Sequence, residues 1–439
     1  MANTVPFKHI IKVANPSPYE RSDFVEIDDL KALGVPLTLD ERNLRLIRQW
    51  PGGFGEEVPF QIDYPFGEKA GYRTLAFFSR NTPPGDPDYS QPTAEFSLEE
   101  GTLHDFSSAV GRDVLKVEHY SAPGVHDSNW DPARNVIGVE LANGVAPPEQ
   151  NQRELNGLQA YFSLVPRPEP TSPFNYAGAA TSILHHRAWN MTGAADVLAP
   201  HYPWRPHAPQ KCWGQLTALD FYPLPWERRY FQAESLLGQA GNEPRYTLVW
   251  SKVGPLRATV VLKSTAIHLH YIGEPFFKPD KKELTCYLYR VISMYPNRES
   301  YAEQLIVRPE GDGLDPSDRI SLFLRPHYYS YLDYPQDVPP QVAWLENVPD
   351  YFAVWRSFAN LHRGYAFASD SHVRALQVTP SEIRWRLQLG HEHRCVHLFP
   401  FHGWPDERVE PFQEVGHTGW YERLLKPLQA LPLNRYLSL

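Results

Sequence analysis

Proline occupies 43 of the 439 positions, and that density limits the folds open to this chain. The ring fixes φ and removes a backbone donor, so frequent prolines break long helices. The segments between them are strand-like. FKHIIKVAN, TLAFFSR, DVLKVEHY, GLQAYFSLVP, RYTLVWSKV, LRATVVLKS, IHLHYIG, ELTCYLYRVI, EQLIVRP, RISLFLRPHYY, RALQVTP, EIRWRLQLG and RCVHLFPF are short runs rich in β-branched and aromatic residues. Pro, Gly, Asn and Asp clusters separate them. Many short strands with turn signals between them read as a sandwich or barrel. Two stretches carry helical spacing: VWRSFANLHR (354–363), and WYERLLKPLQAL (420–431) with Leu424, Leu425, Leu428 and Leu431 on one face. No repeat of fixed period supports a propeller.

A chain of 439 residues exceeds one small core and predicts two or more domains. Composition breaks at SRNTPPGDPDYSQPT (79–93) and ANGVAPPEQNQRELNG (142–157). The expected division is a small β-domain over 1–112 and a large β-domain over 113–439.

The formal charge of −9 argues against a general nucleic-acid binder, which would carry a basic stripe. No apolar run approaches the ~20 residues of a membrane helix. The opening MANTVPFKHIIKV has no apolar signal core. The expected location is the cytoplasm, or the periplasm or exterior with a leader removed. Cys212, Cys286 and Cys395, with no CxxC, form neither a disulfide framework nor a zinc ribbon. They fit a reducing compartment. The 24 Tyr, 22 Phe and 12 Trp suit strands. Exposed aromatics also stack on the flat C–H faces of sugars.

Against that background, KVANPSPYERSDFVEID resembles the start of the β-sandwich domain of family 38 α-mannosidases, through Val13, Asn15, Pro16, Arg21, Val25 and Ile27. VPFQID (Val58 to Asp63) and LAFFSRNTPPG (Leu75 to Gly85) match further strands of those domains. The opening also resembles exo-rhamnogalacturonan-lyase-like proteins. NGLQAYFSLVP with WSKVGPLRATVVLKS resembles a galactose-mutarotase-like supersandwich. These residues build strands and turns, so no catalytic residue is carried over with them. Nothing reads as the (β/α) units of a mannosidase barrel, so mannosidase activity is not implied. The resemblance implies an all-β chain, a small sandwich followed by a large supersandwich, and a carbohydrate context. Among β-sandwich carbohydrate enzymes it points to a polysaccharide or oligosaccharide lyase, and the loop-rich aromatic segments to an exo-acting one.

A lyase acting on a uronate needs donors on the carboxylate, a base at the adjacent carbon and an acid at the leaving oxygen. Three segments gather His, Tyr and Arg. LHHRAWN supplies His186 and Arg187, with Trp189 for binding. HYPWRPH and the residues after it supply Tyr202, then Trp204, Arg205, His207, Lys211 and Trp213 as substrate contacts. LRPHYYSYLDY supplies Arg325, His327 and Tyr329. The expected catalytic set is Tyr329 or Tyr202 as base or acid, His327 or His186 as partner, and Arg325 or Arg187 on the carboxylate. Arg187, Arg205, Lys211 and Arg325 would focus positive charge on an acidic surface. The expected partner is an acidic oligosaccharide, with no nucleic acid and no membrane.

HLHY adds His270 and Tyr271 as substrate contacts. His268 with His270, and His391 with His393 in HEHRCVH, are His-x-His pairs that hold a metal when a third ligand converges. Same-face strand neighbours lie ~7 Å apart, so the row His391, His393, Cys395 and His397 cannot all reach one ion. That row reads as cleft wall before metal site. No cofactor is expected, and zinc or calcium is the ion if one is bound. The alternatives are a glycoside hydrolase or sugar epimerase using His with a carboxylate such as Glu274, and a non-catalytic glycan-binding protein. Asp220, Glu227, Glu274 and Asp333 have no spacing that singles out a hydrolase pair.

Overall fold

Leu44 to Gln49 alternates buried and half-buried positions without a break, as a strand with one face on a core must. The computed structural model describes residues 6–27, 29–102, 115–121, 136–142, 158–164, 180–185, 215–219, 229–233, 246–273, 283–296, 302–310, 319–325, 351–358, 361–369, 373–378, 383–388, 396–403 and 428–431. The strands are β1 (Lys8–Ala14), β2 (Arg21–Ile27), β3 (Leu44–Gln49), β4 (Gly55–Glu57), β5 (Phe60–Asp63), β6 (Thr74–Thr82), β7 (Ala94–Glu100), β8 (Lys116–Ser121) and β9 (Val136–Ala142). Next come β10 (Leu158–Ser163), β11 (Ala180–His185), β12 (Gln215–Leu219), β13 (Arg229–Ala233), β14 (Tyr246–Val253), β15 (Ala258–Ser264), β16 (Ile267–Gly273), β17 (Glu283–Met294) and β18 (Ala302–Pro309). The last are β19 (Arg319–Arg325), β20 (Tyr351–Phe358), β21 (Leu361–Ser369), β22 (Val373–Val378), β23 (Ile383–Gln388), β24 (Val396–Gly403) and β25 (Gln429–Leu431). Among the described residues the helices are two three-residue 3-10 turns, Glu41–Asn43 and Glu68–Ala70. The chain is all-β.

It divides into two units. The first comprises Met1–Asp113, Lys252–Arg257 and Arg408–Leu439, and the second Val114–Ser251 and Ala258–Glu407.

In the first unit a sheet of order β25-β1-β7-β3-β4 and a sheet of order β2-β6-β5 share one core. Ile11, Val13, Val25, Leu46, Phe60, Phe77 and Phe96 are all buried there. Burying each such side chain contributes roughly 1.5–3 kcal/mol. Phe77 of β6 meets Phe96 of β7 at 4.7 Å between ring centroids. Asn15 follows β1 and holds the turn into β2. Its Nδ2 donates to the carbonyls of Tyr19 (2.8 Å), Thr82 (3.1 Å) and Pro83 (2.9 Å), and its Oδ1 accepts from Ser17 N at 3.0 Å. A Cβ at Gly85 would collide with the Asn15 carbonyl, so only glycine passes there. Thus Val13, Val25 and Ile27 of the opening motif fill the core, and its asparagine shapes the turn.

VPFQID splits by face in the same way. Val58, Phe60 and Ile62 enter the core, while Gln61 and Asp63 are buried on the opposite side. There they meet Arg257. Its Nε donates to Asp63 Oδ2 at 2.7 Å and its Nη1 to Glu26 Oε1 at 2.7 Å. Gln61 Oε1 accepts from Arg257 N at 3.1 Å while its Nε2 donates to Asp63 Oδ1 at 2.7 Å. Lys252 pairs with Glu41 and donates to Ile62 O.

In the second unit β17 is the long central strand. It pairs with β15 and β16 along one edge and β18 along the other, all antiparallel. Cys286, Leu288, Arg290, Ile292 and Met294 are buried on one face, and Tyr289, Val291 and Ser293 are buried on the other. Val260 and Leu262 of β15 are buried too. Smaller sheets run β11-β10-β9-β8, β12-β19-β23-β22 and β20-β21-β24.

Two expectations of helix are corrected. Val354 to Arg363 is divided between β20 and β21, which pair as a hairpin with Phe358 opposite Leu361. The β-branched and aromatic content of that stretch outweighed its spacing. Gln429 to Leu431 is β25, paired with β1 through Lys12 opposite Leu431, and Leu428 is buried in the first core. The rest of that second stretch lies outside the described residues.

Candidate functional site

The face of β17 opposite its buried row carries Thr285, Tyr287 and Tyr289. The ladder sets His268 opposite Thr285 and Lys263 opposite Tyr289, and Arg308 opposite Tyr287. One strand face thus gathers His, Lys, Thr, Tyr and Arg positions. The face is closed at one end, where Tyr289, Val291 and Ser293 are buried. It opens toward β16, where Thr285 and Tyr287 are half-buried and His268 is exposed.

Local contacts fix two of these groups. The Lys263 ammonium lies 4.0 Å from the Tyr287 ring centroid and 5.7 Å from that of Tyr289. Both fall within the ~6 Å reach of a cation–π contact. The rings draw the cation across the sheet instead of letting it extend into water. Among the described residues no carboxylate pairs with it. His268 Nδ1 lies 3.2 Å from Thr285 Oγ1, which orients the imidazole. The strip therefore presents donors, one of them a held cation, and suits a ligand rich in oxygen acceptors.

Of the residues expected from sequence, His270 sits in β16 opposite Gln232 and Glu283, and Tyr271 opposite Phe231. Arg325 is the last residue of β19, opposite Gln215. His397 lies in β24 opposite Ala368. Tyr329, His327, His186, Arg187, Tyr202, Trp189, Trp204, Arg205, His207, Lys211, Trp213, His391, His393 and Cys395 lie outside the described residues. Among the described residues no three His, Cys, Asp or Glu side chains converge as a metal site. Sequence reading missed Lys263, Thr285 and Tyr287. The signal for two of them was the alternation of Thr285, Tyr287 and Tyr289 against Cys286, Leu288 and Arg290 within ELTCYLYR.

No family model matches the chain, and no curated protein matches it. Among solved structures it is similar to an α-mannosidase from Enterococcus faecalis, at 10% identity and a TM-score of 0.44 over 96% of this chain and 46% of that one. A protein in glycosyl hydrolase family 38 from the same organism is similar at 10% identity and a TM-score of 0.40, over 96% of this chain and 47% of that one. The chain thus spans about half the length of each of these structures.

Proposed function

We propose that this chain is a β-sandwich protein of carbohydrate processing that binds an acidic oligosaccharide on the face carrying Lys263, His268, Thr285 and Tyr287. The observation that carries this reading is the Lys263 ammonium held 4.0 Å over Tyr287 with no carboxylate partner among the described residues. A held cation loses little conformational freedom on binding an anion. Hydroxyl and imidazole groups beside it supply hydrogen bonds to sugar oxygens. The resemblance of the opening strands to carbohydrate-enzyme sandwiches supports the same ligand class.

The reaction we propose is β-elimination. A base removes the proton beside the uronate carboxylate, a carbon–carbon double bond forms, and the bond to the glycosidic oxygen breaks. That oxygen leaves with a proton from the acid. Arg325 or Arg187 would neutralise the carboxylate, and Tyr329 or Tyr202 with His327 or His186 would exchange the protons. Their chemistry, together with the opening-strand resemblance, supports this step.

The test is incubation with a panel of uronate-containing oligosaccharides. Ultraviolet absorbance of the unsaturated product, with binding weakened in Lys263→Ala, is the expected result. Reducing ends released without that absorbance would replace elimination by hydrolysis. Unchanged binding in both Lys263→Ala and Tyr287→Ala would remove the proposed face.

A further inference from the structure

One end of the first unit gathers three connections. Val13 opposite Ala94, Gln49 opposite Glu95 and Arg21 opposite Thr82 place residues 15–20, 50–54 and 83–93 together there. Hydrogen bonds from Gly85 N to Ser17 O (3.0 Å) and from Thr93 N to Val13 O (2.8 Å) tie two of them. The third is the tip of the β3–β4 hairpin, Trp50-Pro51-Gly52-Gly53-Phe54. Gly52 and Gly53 have φ of 95° and 82°, which glycine adopts without strain. Trp50 N donates to Phe54 O at 2.8 Å, so the two aromatic residues stand opposite each other.

Arg48 and Glu56 are the next pair down the same hairpin face. Glu56 Oε2 accepts from Trp50 Nε1 at 2.9 Å, and the Arg48 guanidinium lies 3.7 Å from the Trp50 ring centroid. Arg48 is only 3% exposed. Its Nη2 donates to Asn81 O at 3.1 Å. Its Nε and Nη1 find no acceptor among the described residues. Buried donors without partners are rare and costly. Phe54, two positions beyond, is 66% exposed, although the glycine turn and the Trp50 contact hold the tip. Phe54 and Tyr19, the aromatic residues among the exposed large hydrophobics, both lie at this end.

An exposed ring and a half-buried carboxylate on one hairpin, with Trp50 and the buried Arg48 packed beneath them, are complementary to a molecule with a flat apolar face rimmed by hydroxyls. We infer that this end is a second glycan-binding site, taking one pyranose with its C–H face on Phe54 and its oxygens toward Glu56, directly or through a water, while Arg48 supports the Trp50 ring from beneath. Trp50 positions both charged groups. The site involves none of the residues of the β17 face.

Calorimetric titration of the full chain with a galacturonate tetramer and with a neutral mannose tetramer tests this. Phe54 is exposed, so Phe54→Ala leaves the core intact, which a melting curve checks. The expected result is loss of one class of site in Phe54→Ala, by on the order of tenfold in affinity or more, with the other class retained. Lys263→Ala should show the reverse. Loss in Phe54→Ala with no effect of Lys263→Ala supports this site and refutes the β17 face. Wild-type stoichiometry and affinity in Phe54→Ala overturns the second site and leaves the β17 face standing. So does a tip that captures protein but binds neither tetramer at millimolar concentration.

Discussion

Gly254→Ala should destabilise the first unit by several kcal/mol, although the substitution adds one methyl group. A Cβ there would lie within 3.0 Å of the Gln61 amide oxygen and carbon, and 3.0 Å from its nitrogen. Gln61 cannot retreat freely. Its side chain is fully buried, accepts from Arg257 N at 3.1 Å and donates to Asp63 Oδ1 at 2.7 Å. Moving it leaves a buried N–H unpaired and removes a donor from a buried carboxylate, at about 1–3 kcal/mol for each group left unsatisfied. Moving the 252–257 backbone instead draws Arg257 away from Asp63 and Glu26, and breaking a buried ion pair costs roughly 3–5 kcal/mol. Either route gives about 2–5 kcal/mol.

The assay is denaturant unfolding followed by a probe in the first unit, in a double-mutant cycle with Gln61→Ala. Truncating Gln61 removes the obstacle. In that background Gly254→Ala should cost less than about 1 kcal/mol, for a coupling of about 2 kcal/mol or more. A Gly254→Ala protein within about 0.5 kcal/mol of wild type, or an equal penalty in both backgrounds, would refute the reasoning.

Other consequences are open to simpler measurements. Burial pushes the Glu41 carboxyl above its ordinary value of 4.5, against the pull of Lys252. A raised carboxyl favours the folded state fully below its unfolded value and loses that stability as pH rises through the folded one. Stability of the first unit should therefore carry a downward component above pH 4.5, and Glu41→Gln should remove it; an identical pH profile in the variant counts against this. Asn15→Asp would set a carboxylate against the carbonyls of Tyr19, Thr82 and Pro83. A loss of about 3–5 kcal/mol at neutral pH, smaller in acid, is expected by denaturant titration. Burial pushes the Cys286 thiol up to about 12, so iodoacetamide should leave it unmodified in the native chain at neutral pH. Peptide mapping by mass spectrometry should find it alkylated only after denaturation.

The strands were legible because their signal is local. ELTCYLYR alternates residue by residue, and β17 uses that alternation to separate Cys286, Leu288 and Arg290 from Thr285, Tyr287 and Tyr289. β25 was not legible. A strand of three residues is too short to show a period, and Leu424, Leu425, Leu428 and Leu431 carry helical spacing. Leu428 is buried because β1 offers its edge, a fact of the partner strand. The candidate site divides in the same way. His268 and His270 announce themselves by residue type. Lys263 acquires meaning only when the ladder brings it beside Tyr289 and over Tyr287.

The buried polar groups show most clearly why composition could not locate such sites. Asp63 and Arg257 are 194 residues apart, and nothing near either one identifies the other. VPFQID looks like a core strand with two polar interruptions. In the fold those interruptions hold a guanidinium and the backbone of the 252–257 turn. Arg48 has the opposite history. In LRLIRQW the period of two sets Arg48 on the buried face with Leu44 and Leu46, where it stacks on Trp50 and keeps two donors without an acceptor among the described residues. One buried arginine is satisfied by its own chain and its surroundings are closed. The other is incompletely satisfied beside an exposed aromatic hairpin tip. Arg257 is thus a structural residue, and Arg48 supports Trp50 beneath a proposed site whose ligand-facing groups are Phe54 and Glu56.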